Sequence, residues 1–292
     1  MFKKGVYAAT ISIINKDYSL NVEETVKHAE GLIKNGLHGV FFFGSTGQSQ
    51  LISSDEKKVL ISKIASHKMR KNFFLGTGSN SLKENLDLIK YGLEFDFNTF
   101  LIMPPAYYKS NSDTGVYNFY DAIISKNPKV KIILYNFEKL SGYKFKKEIV
   151  MKLKNDFPRN IIGCKDSSYN LFQDLKLKDF LIFPGSEAKL FKGLQLGCAG
   201  CISAVTNVTH SISRKVFDDF ENGKKQEKNE HLIQVRELFD KYNLISAVHS
   251  YLGAENNLYN NLLPPLELLK EKDLKNLIKE LNNLKFEREI AA

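Results

Sequence analysis

The chain has few cysteines, and their small number excludes a fold held together by disulfides. Its 292 residues contain three of them, Cys164, Cys198 and Cys201, whereas disulfide frameworks need several pairs. Cys198 and Cys201 fit a C-x-x-C pattern, but a structural zinc site needs four ligands and no second pair follows. We therefore expect all three to be small buried packing residues.

Long hydrophobic runs are also missing. No apolar stretch approaches the roughly 18 residues that a membrane-spanning helix requires. The run at residues 5–14 follows Lys3 and Lys4 and so resembles a short signal peptide, but Thr10 and Ser12 interrupt it and no small-residue cleavage site follows. We interpret this run as the first strand of a cytoplasmic protein.

Several catalytic motifs are absent. The chain has no G-x-S-x-G elbow, which a serine hydrolase of the α/β type would carry. Neither H-x-H nor H-E-x-x-H occurs, so we predict no metal site and no cofactor. We expect the six histidines on helix surfaces: His28, His38, His67, His210, His231 and His249.

The charge balance is basic, but the basic residues do not form a block. Lys and Arg number 42 and Asp and Glu 33, which gives a net charge of +9. In segments 221–231 and 270–288 the lysines alternate with acidic residues, as on solvated helix faces. This interleaving argues against a nucleic-acid partner, and a mildly positive surface would suit an anionic small substrate.

Eight strand-like runs indicate the fold class. Each is followed by a helix-like segment, and near-continuous apolar strands of this kind form parallel sheets covered by helices. The first run lacks the G-x-G-x-x-G loop of doubly wound sheets, so we predict a closed (β/α)8 TIM barrel. The predicted strands are 5–14, 39–44, 72–78, 99–105, 130–137, 161–166, 180–186 and 200–205.

Helix signals support this alternation and change its character near the end of the chain. Asn21, Ser53 with Glu56, and Ser81 with Glu84 have the spacing of helix caps and capping boxes. After about residue 225 the pattern becomes wholly helical, with predicted helices at 227–243, 246–257 and 266–284. We therefore predict a barrel at 1–225 and a helical region packed on it at 226–292.

A lysine lies at the end of the sixth predicted strand. Residues 161–164 are apolar and deliver Lys165 to the strand end, where Asp-Ser-Ser begins a turn. Burial disfavours the charged form of an amine, and a neutral amine is a nucleophile that forms Schiff bases with carbonyl compounds. The alternative is a lysine whose head group reaches out to solvent.

Other strand ends supply polar groups at the same face, where barrel enzymes carry out their chemistry. Ser45 and Thr46 lie between two glycines, in a turn that could hold a carboxylate. Tyr135 ends the fifth strand and could relay protons beside Lys165. Each has a simpler interpretation, since glycine-rich turns and packed tyrosines are common.

The seventh and eighth strands add a polar wall. We predict substrate-binding roles for Gly185 and Glu187 after the seventh strand and for Ser203 on the eighth. Together with the fifth and sixth strands, they surround one mouth of the barrel.

These motifs resemble those of the pyruvate-dependent class I aldolases, which include dihydrodipicolinate synthase, N-acetylneuraminate lyase and the 2-keto-3-deoxy-sugar-acid aldolases. They occur in the family's order and spacing, and the resemblance covers essentially the whole chain. The matching segments are 44–47, 76–80, 105–108, 135–136, 163–168 and 197–207.

The resemblance implies a role for each matching residue. Lys165 would form the Schiff base with a 2-keto acid, and Tyr135 would be the acid/base group. Ser45 and Thr46 would bind the pyruvate carboxylate, and the Thr46 hydroxyl would link Tyr135 to a Tyr107 donated across a tight dimer. Ile202 would contribute through its backbone, and the assembly implied is a homotetramer built as a dimer of dimers.

Departures from the family motifs narrow the substrate. Leu140 stands where the synthases have an arginine that grips a carboxylate, and an apolar side chain offers no such clamp. The acidic pair of the sialic acid lyases is reduced to Glu187 and Ala188. Glu138 replaces a proline and Gln48 replaces a glutamate. We therefore expect a lyase that cleaves a 2-keto-3-deoxy sugar acid, or an N-acetylneuraminate-like substrate, to pyruvate and an aldehyde.

Two alternatives remain open at this stage. The first is dihydrodipicolinate synthase, which condenses pyruvate with aspartate semialdehyde. The second is a catalytically silent relative that binds a keto acid and acts as a regulator, although such a protein would have no use for a nucleophile and a proton relay.

Overall fold

Eight parallel strands form a nearly closed barrel in the computed structural model, which describes residues 2–287. Neighbouring strands follow the order β7-β6-β5-β4-β3-β2-β1-β8. A hydrogen bond of 2.8 Å from Ala199 N to Ile182 O joins the two ends of that order. This confirms the predicted (β/α)8 barrel. The strands are β1 Gly5–Ala9, β2 Gly39–Phe42, β3 Phe73–Gly76, β4 Thr99–Ile102, β5 Lys131–Asn136, β6 Ile161–Asp166, β7 Leu181–Pro184 and β8 Gly200–Ser203.

The first strand is shorter than its apolar run suggests. β1 ends at Ala9, so the predicted strand 5–14 was too long. Ile11 and Ile13 are buried, but they pack against the C-terminal helices instead of continuing the sheet. An apolar run therefore continued past the strand because a second core begins there.

Helices separate successive strands except β6 and β7, where residues 167–180 form turns and bends in place of the predicted helix, and further helices follow β8. The helices are α1 Val22–Lys34, α2 Ser54–Ala65, α3 Leu82–Glu94, α4 Asp113–Lys126, α5 Glu138–Ser141, α6 Lys147–Asp156, α7 Leu190–Gln195, α8 His210–Glu221, α9 Asn229–Asp240, α10 Leu244–Gly253 and α11 Glu271–Asn283. The Ser53–Glu56 capping box is present, and Asn21 caps α1. Ser81 caps α3, but Glu84 accepts a hydrogen bond from Ser79 and does not complete the predicted box.

Two apolar cores hold the molecule together, apart from the filling of the barrel itself. The larger core lies between the strands and α1–α8. The smaller core lies between the C-terminal helices α9–α11 and the segments that follow β1 and β8. Inside the barrel, the Phe2 ring packs against Tyr7, Phe41, Phe74 and Phe183. These aromatic rings fill the barrel interior, and a cavity of about 610 Å³ lined by Phe2 and Phe74 opens at the end where the strands begin.

The sequence bounds of the three C-terminal helices α9–α11 agree to within a few residues with those of the three helices predicted there. The division of the chain near residue 225 stays a prediction; it falls between α8 and α9, and residues 288–292 of the predicted helical region lie outside the described residues. Within residues 2–287, no helix is both long enough and apolar enough to cross a membrane.

Candidate active site

Tyr135 and Lys165 lie side by side on β5 and β6. They are register partners, one residue before the end of each strand. The Lys165 Nζ atom lies 4.4 Å from the centroid of the Tyr135 ring. Both side chains are nearly buried, with exposures of 5% for Tyr135 and 3% for Lys165. The structure therefore brings the predicted nucleophile and the predicted acid/base group together.

The Gly-Ser-Thr-Gly segment forms a short 3-10 turn at the end of β2. Ser45 donates a hydrogen bond of 3.4 Å from its Oγ to the Tyr135 hydroxyl. Ser12 Oγ holds the turn from beneath by donating to Gly47 O at 2.7 Å. A Cβ atom on Gly47 would lie 2.9 Å from Thr10 O, so a larger residue would push the turn away. The turn is thus fixed against the residues that follow β1.

A cavity of about 590 Å³ opens above these residues at the C-terminal ends of the strands. Ser45, Thr46, Tyr135, Lys165 and Gly185 all contribute to its wall. Ser167, Ser168 and Tyr169 of the loop after β6 line it as well. The other lining residues are Phe137, Ala204 and residues of α5, of α9 and of the segment 242–245. Five of the predicted site residues therefore share one cavity.

Gly185 is the residue that keeps β7 close to β6 at this point. A Cβ atom built on it would overlap the Ser167 hydroxyl. Any larger residue would displace the loop that follows Lys165. This close approach is the physical reason for glycine at this position.

Glu187, Ser203 and Ile202 lie behind the wall of the cavity and are fully buried. Glu187 Oε2 accepts a hydrogen bond of 2.8 Å from Arg236 Nη1 and another from Ser203 Oγ, and its Oε1 accepts one of 3.2 Å from Thr209. Burial alone would lower the pKa of Arg236, but Glu187 and Asp240 outweigh it and hold that pKa above its ordinary value. The guanidinium stays charged between the two carboxylates.

Tyr107 does not reach the cavity of its own chain. Its side chain is 79% exposed, and its ring packs edge-on against the exposed Tyr108. Asn80 fixes the start of this loop, because its Oδ1 accepts a hydrogen bond of 2.8 Å from Ala106 N. The loop therefore presents two tyrosine rings outward.

A buried hydrogen-bond network behind the reactive pair was not identified from the sequence. Asn136 and Asp166 follow Tyr135 and Lys165, and because side chains alternate along a strand they point away from the barrel interior. Asp166 accepts hydrogen bonds from Asn136 Nδ2 and from the backbone N–H groups of residues 169, 171 and 172. The sequence did contain a signal for this network, because an amide, Asn136, follows Tyr135 and a carboxylate, Asp166, follows Lys165.

Two departures from the family motifs now have a structural explanation. Glu138 donates a backbone hydrogen bond of 2.9 Å to Ser168 Oγ, which a proline at this position could not donate. Gln48 is buried, and its Oε1 accepts a hydrogen bond of 2.7 Å from Leu263 N. Its Nε2 donates to Ser12 O at 3.5 Å. An amide can serve both partners, whereas an ionised carboxylate has no proton to donate.

The histidines are not uniformly on helix surfaces. His28, His210 and His249 are buried, and His38 and His67 lie outside the helices, just before β2 and just after α2, so the prediction is wrong for all five. His28 lies between Asn207 and Tyr259, at 3.0 and 3.1 Å. His249 is held by the same residue, because its Nδ1 lies 2.9 Å from Tyr259 O. Among residues 2–287, no group of three or more His, Cys, Asp and Glu side chains is arranged to hold a metal ion.

The cysteines pack as predicted. All three are buried free thiols. Burial raises the pKa of Cys198 to about 11 and holds that of Cys201 well above its usual range. They therefore lack the low pKa of reactive thiols.

Comparison with known proteins agrees with this geometry. The model of the dihydrodipicolinate synthetase family matches residues 2–284. A 2-dehydro-3-deoxy-D-gluconate/2-dehydro-3-deoxy-phosphogluconate aldolase of Picrophilus torridus is 29% identical over 250 residues, which are 82% of this chain and 90% of that protein. A 4-hydroxy-tetrahydrodipicolinate synthase of Pelagibacter ubique is 31% identical over 260 residues, covering 87% of this chain and 85% of that protein.

A solved structure shares the whole architecture. Dihydrodipicolinate synthase from Agrobacterium tumefaciens superposes with a TM-score of 0.88 at 25% identity, covering 98% of this chain and 100% of that chain. The family match, the relatives and the fold all point the same way. The chain therefore belongs to the dihydrodipicolinate synthetase family.

Proposed function

We infer that this protein is a lyase of its family that works through a Schiff base on Lys165. The observation that carries this proposal is the pairing of Lys165 with Tyr135 in the wall of one cavity, with the Lys165 Nζ 4.4 Å from the Tyr135 ring centroid. The nearly buried amine of Lys165 can act as the nucleophile, and the phenol of Tyr135 beside it can transfer protons.

The reaction begins when Lys165 Nζ attacks the ketone carbon of a 2-keto acid. Water leaves, and the resulting imine withdraws electrons from the neighbouring carbons. The carbon–carbon bond two atoms away then breaks, while Tyr135 takes the proton of the hydroxyl that becomes the aldehyde. A proton returns to the enamine, and water hydrolyses the imine to release pyruvate. Ser45 and Thr46 would hold the carboxylate throughout, and no metal or organic cofactor takes part.

We propose a 2-keto-3-deoxy sugar acid, or an N-acetylneuraminate-like substrate, as the compound cleaved. Leu140 supports this choice, because it lies in the cavity wall with 39% exposure and cannot clamp a second carboxylate. The Picrophilus torridus relative, named as an aldolase of such acids, supports it too. The alternative is dihydrodipicolinate synthesis, which the name of the Pelagibacter ubique relative favours.

We further propose a cytoplasmic homotetramer built as a dimer of dimers. Within each tight dimer, each subunit would contribute its Tyr107 to the active site of the other. The exposed position of Tyr107 and Tyr108 supports an interface at this loop. In such a dimer, Tyr107 would complete the proton relay in the partner's site. Size measurement in solution tests the assembly, and a monomer with full activity would contradict it.

Comparison of aldehyde acceptors tests the choice of substrate. Purified protein with saturating pyruvate is given D-glyceraldehyde or aspartate semialdehyde, and kcat/KM is measured for each. We expect the higher value for glyceraldehyde. A higher value for the semialdehyde would establish the synthase alternative instead.

A further inference from the structure

One wall of the cavity is built by residues of the C-terminal helical region. Arg236 and Asp240 of α9 line it, together with residues 242–245. None of these residues belongs to the motifs by which the sequence was related to its family. Their contacts show which of them has hydrogen-bonding capacity left for a substrate.

Glu187, which the sequence predicts to bind substrate, has no hydrogen-bonding capacity left for one. Both of its carboxylate oxygens accept hydrogen bonds from buried partners, namely Arg236, Ser203 and Thr209. Turning this side chain toward a substrate would leave the Arg236 charge poorly paired in the interior, which is costly.

Asp240 is held differently. Its Oδ1 accepts a hydrogen bond of 2.9 Å from Arg236 Nε and forms an ion pair with Arg236 Nη2, also at 2.9 Å, along one turn of α9. Its side chain is 47% exposed, whereas that of Arg236 is only 4% exposed. Within residues 2–287, no hydrogen bond or ion pair involves Asp240 Oδ2. One carboxylate oxygen is therefore anchored and the other remains available at the cavity.

The charges on this wall select against an anionic partner. Arg236 carries one positive charge between the carboxylates of Glu187 and Asp240, so the three groups together are negative. Three N–H groups of the Arg236 guanidinium already donate to Glu187, Ser203 and Asp240, and its side chain is only 4% exposed, so its charge is largely paired before a ligand binds. Glu138 and Lys139 on α5 are exposed and of opposite sign. A hydroxyl group, which donates a hydrogen bond without bringing charge, fits this wall.

We propose that Asp240 determines acceptor specificity by accepting a hydrogen bond from a hydroxyl of the aldehyde half of the substrate, with Arg236 holding its carboxylate in place. This inference rests on the proposed lyase function and assigns the substrate class as hydroxylated aldehydes and the 2-keto acids made from them. A preorganised carboxylate loses little freedom when a hydroxyl binds, and it discriminates strongly against analogues that lack the hydroxyl.

Two acceptors of equal carbon number separate this contact from general activity. With saturating pyruvate, kcat/KM is measured for D-glyceraldehyde and for propanal, which lacks the hydroxyls. We expect Asp240→Ala to lower the glyceraldehyde value about tenfold more than the propanal value, since a hydrogen bond to a charged group is lost. Asp240→Asn, which keeps the shape and one carbonyl oxygen, should cause a smaller selective loss.

Asp218→Asn is the matched control. Asp218 accepts from Arg214 Nε four residues earlier on α8, with both distances 2.8 Å, and it lies outside the cavity wall. The Asp218→Asn substitution should leave the ratio of kcat/KM for glyceraldehyde to that for propanal unchanged. Circular dichroism of each variant confirms that the fold is retained.

The outcomes separate the two proposals. If the unmodified protein prefers glyceraldehyde but both Asp240 variants lower the two acceptors equally, or not at all, the role of Asp240 is wrong and the lyase function stands. If the unmodified protein prefers aspartate semialdehyde, the proposed substrate class fails and the Asp240 inference fails with it, while the Schiff-base role of Lys165 stands.

Discussion

Asn136 Nδ2 donates a hydrogen bond of 2.8 Å to Asp166 Oδ1, directly behind Tyr135 and Lys165. The same amide donates to Asn170, also at 2.8 Å. Asp166 in turn accepts from three backbone N–H groups of the loop after β6. The geometry of the reactive pair therefore depends on a carboxylate and an amide that do not touch the cavity.

Replacing Asp166 by alanine should destabilise the protein by roughly 3 kcal/mol or more, because it leaves several buried donors without an acceptor. Urea unfolding followed by circular dichroism measures this free energy. Asp174→Ala is the control, since among residues 2–287 the Asp174 side chain pairs only with Lys147, at 3.0 Å. A loss for Asp166→Ala no greater than that of the control would show that the network does not support the strand ends.

Gln48→Glu should destabilise the protein by about 1–3 kcal/mol at neutral pH, because a buried carboxylate has no proton to donate to Ser12 O. Burial raises the pKa of a carboxyl group, so the loss should shrink as the pH falls and the new side chain becomes protonated. Gln50→Glu, at an exposed neighbouring position, is the control. Equal unfolding free energies for Gln48→Glu and the original protein at pH 7 would refute this explanation.

Lys109 should position the wall that contains Leu140. Its Nζ donates to Ala106 O at 2.7 Å and to Leu140 O at 3.0 Å, so it ties the Tyr107 loop to α5. Gly142 leaves room for it, since this residue has φ +69° and a Cβ there would overlap the Lys109 stem. Lys109→Met keeps the stem but removes both hydrogen bonds.

We expect Lys109→Met to raise the KM for the aldehyde about fivefold, as the loss of about 1 kcal/mol at an exposed site implies. The rate of imine formation with pyruvate should stay unchanged, because Lys165 and its neighbours are not moved. Lys126→Met at the end of α4 controls for the loss of one surface charge. An unaltered KM would mean that the hydrogen bonds of Lys109 do not position the part of the cavity wall that contains Leu140.

The buried histidines should make the fold sensitive to acid. Burial lowers the pKa of His28 and of His249 to about 4. An unfolded histidine titrates near 6.5, so below that pH the unfolded chain binds protons that the folded chain cannot. Stability from each histidine is thus complete above pH 6.5 and is lost as the pH falls toward 4.

Urea unfolding at pH 7.5 and pH 5 measures this effect. We expect each of these two histidines to account for about 2 kcal/mol of the difference. His28→Gln should remove its share of the pH dependence. An undiminished pH dependence in His28→Gln would contradict the assignment.

The barrel and the reactive pair could be predicted because they depend on short-range patterns. Apolar runs ending in polar residues locate strand ends, and parallel closure brings those ends to one face. Side-chain alternation then places Lys165 beside Tyr135 without any knowledge of the helices.

The remaining features depend on contacts that are distant in sequence. Glu187 is turned away from the cavity by Arg236, which lies 49 residues later. His28 is buried because Asn207 and Tyr259 close over it. The run at 5–14 looks like one strand, because Ile11 and Ile13 are apolar as well, although they pack against the C-terminal helices and not in the sheet. No local pattern contains the partner in any of these cases.

Lys57 is the rival amine for imine formation. It is 2% exposed, its Nζ donates to Thr77 O at 3.0 Å, and burial lowers its pKa to about 8. It lies outside the cavity that contains Tyr135 and Lys165. A test of the central claim must therefore identify which lysine reacts.

Reduction with borohydride in the presence of pyruvate, followed by mass spectrometry of the intact protein and its peptides, provides that test. We predict a single gain of about 72 Da, the mass of a reduced pyruvate imine, on the peptide that contains Lys165. The adduct should persist in Lys57→Met and disappear in Lys165→Ala. No adduct at all would favour a silent keto-acid binder, and an adduct that persists in Lys165→Ala would contradict the assignment of Lys165 as the nucleophile.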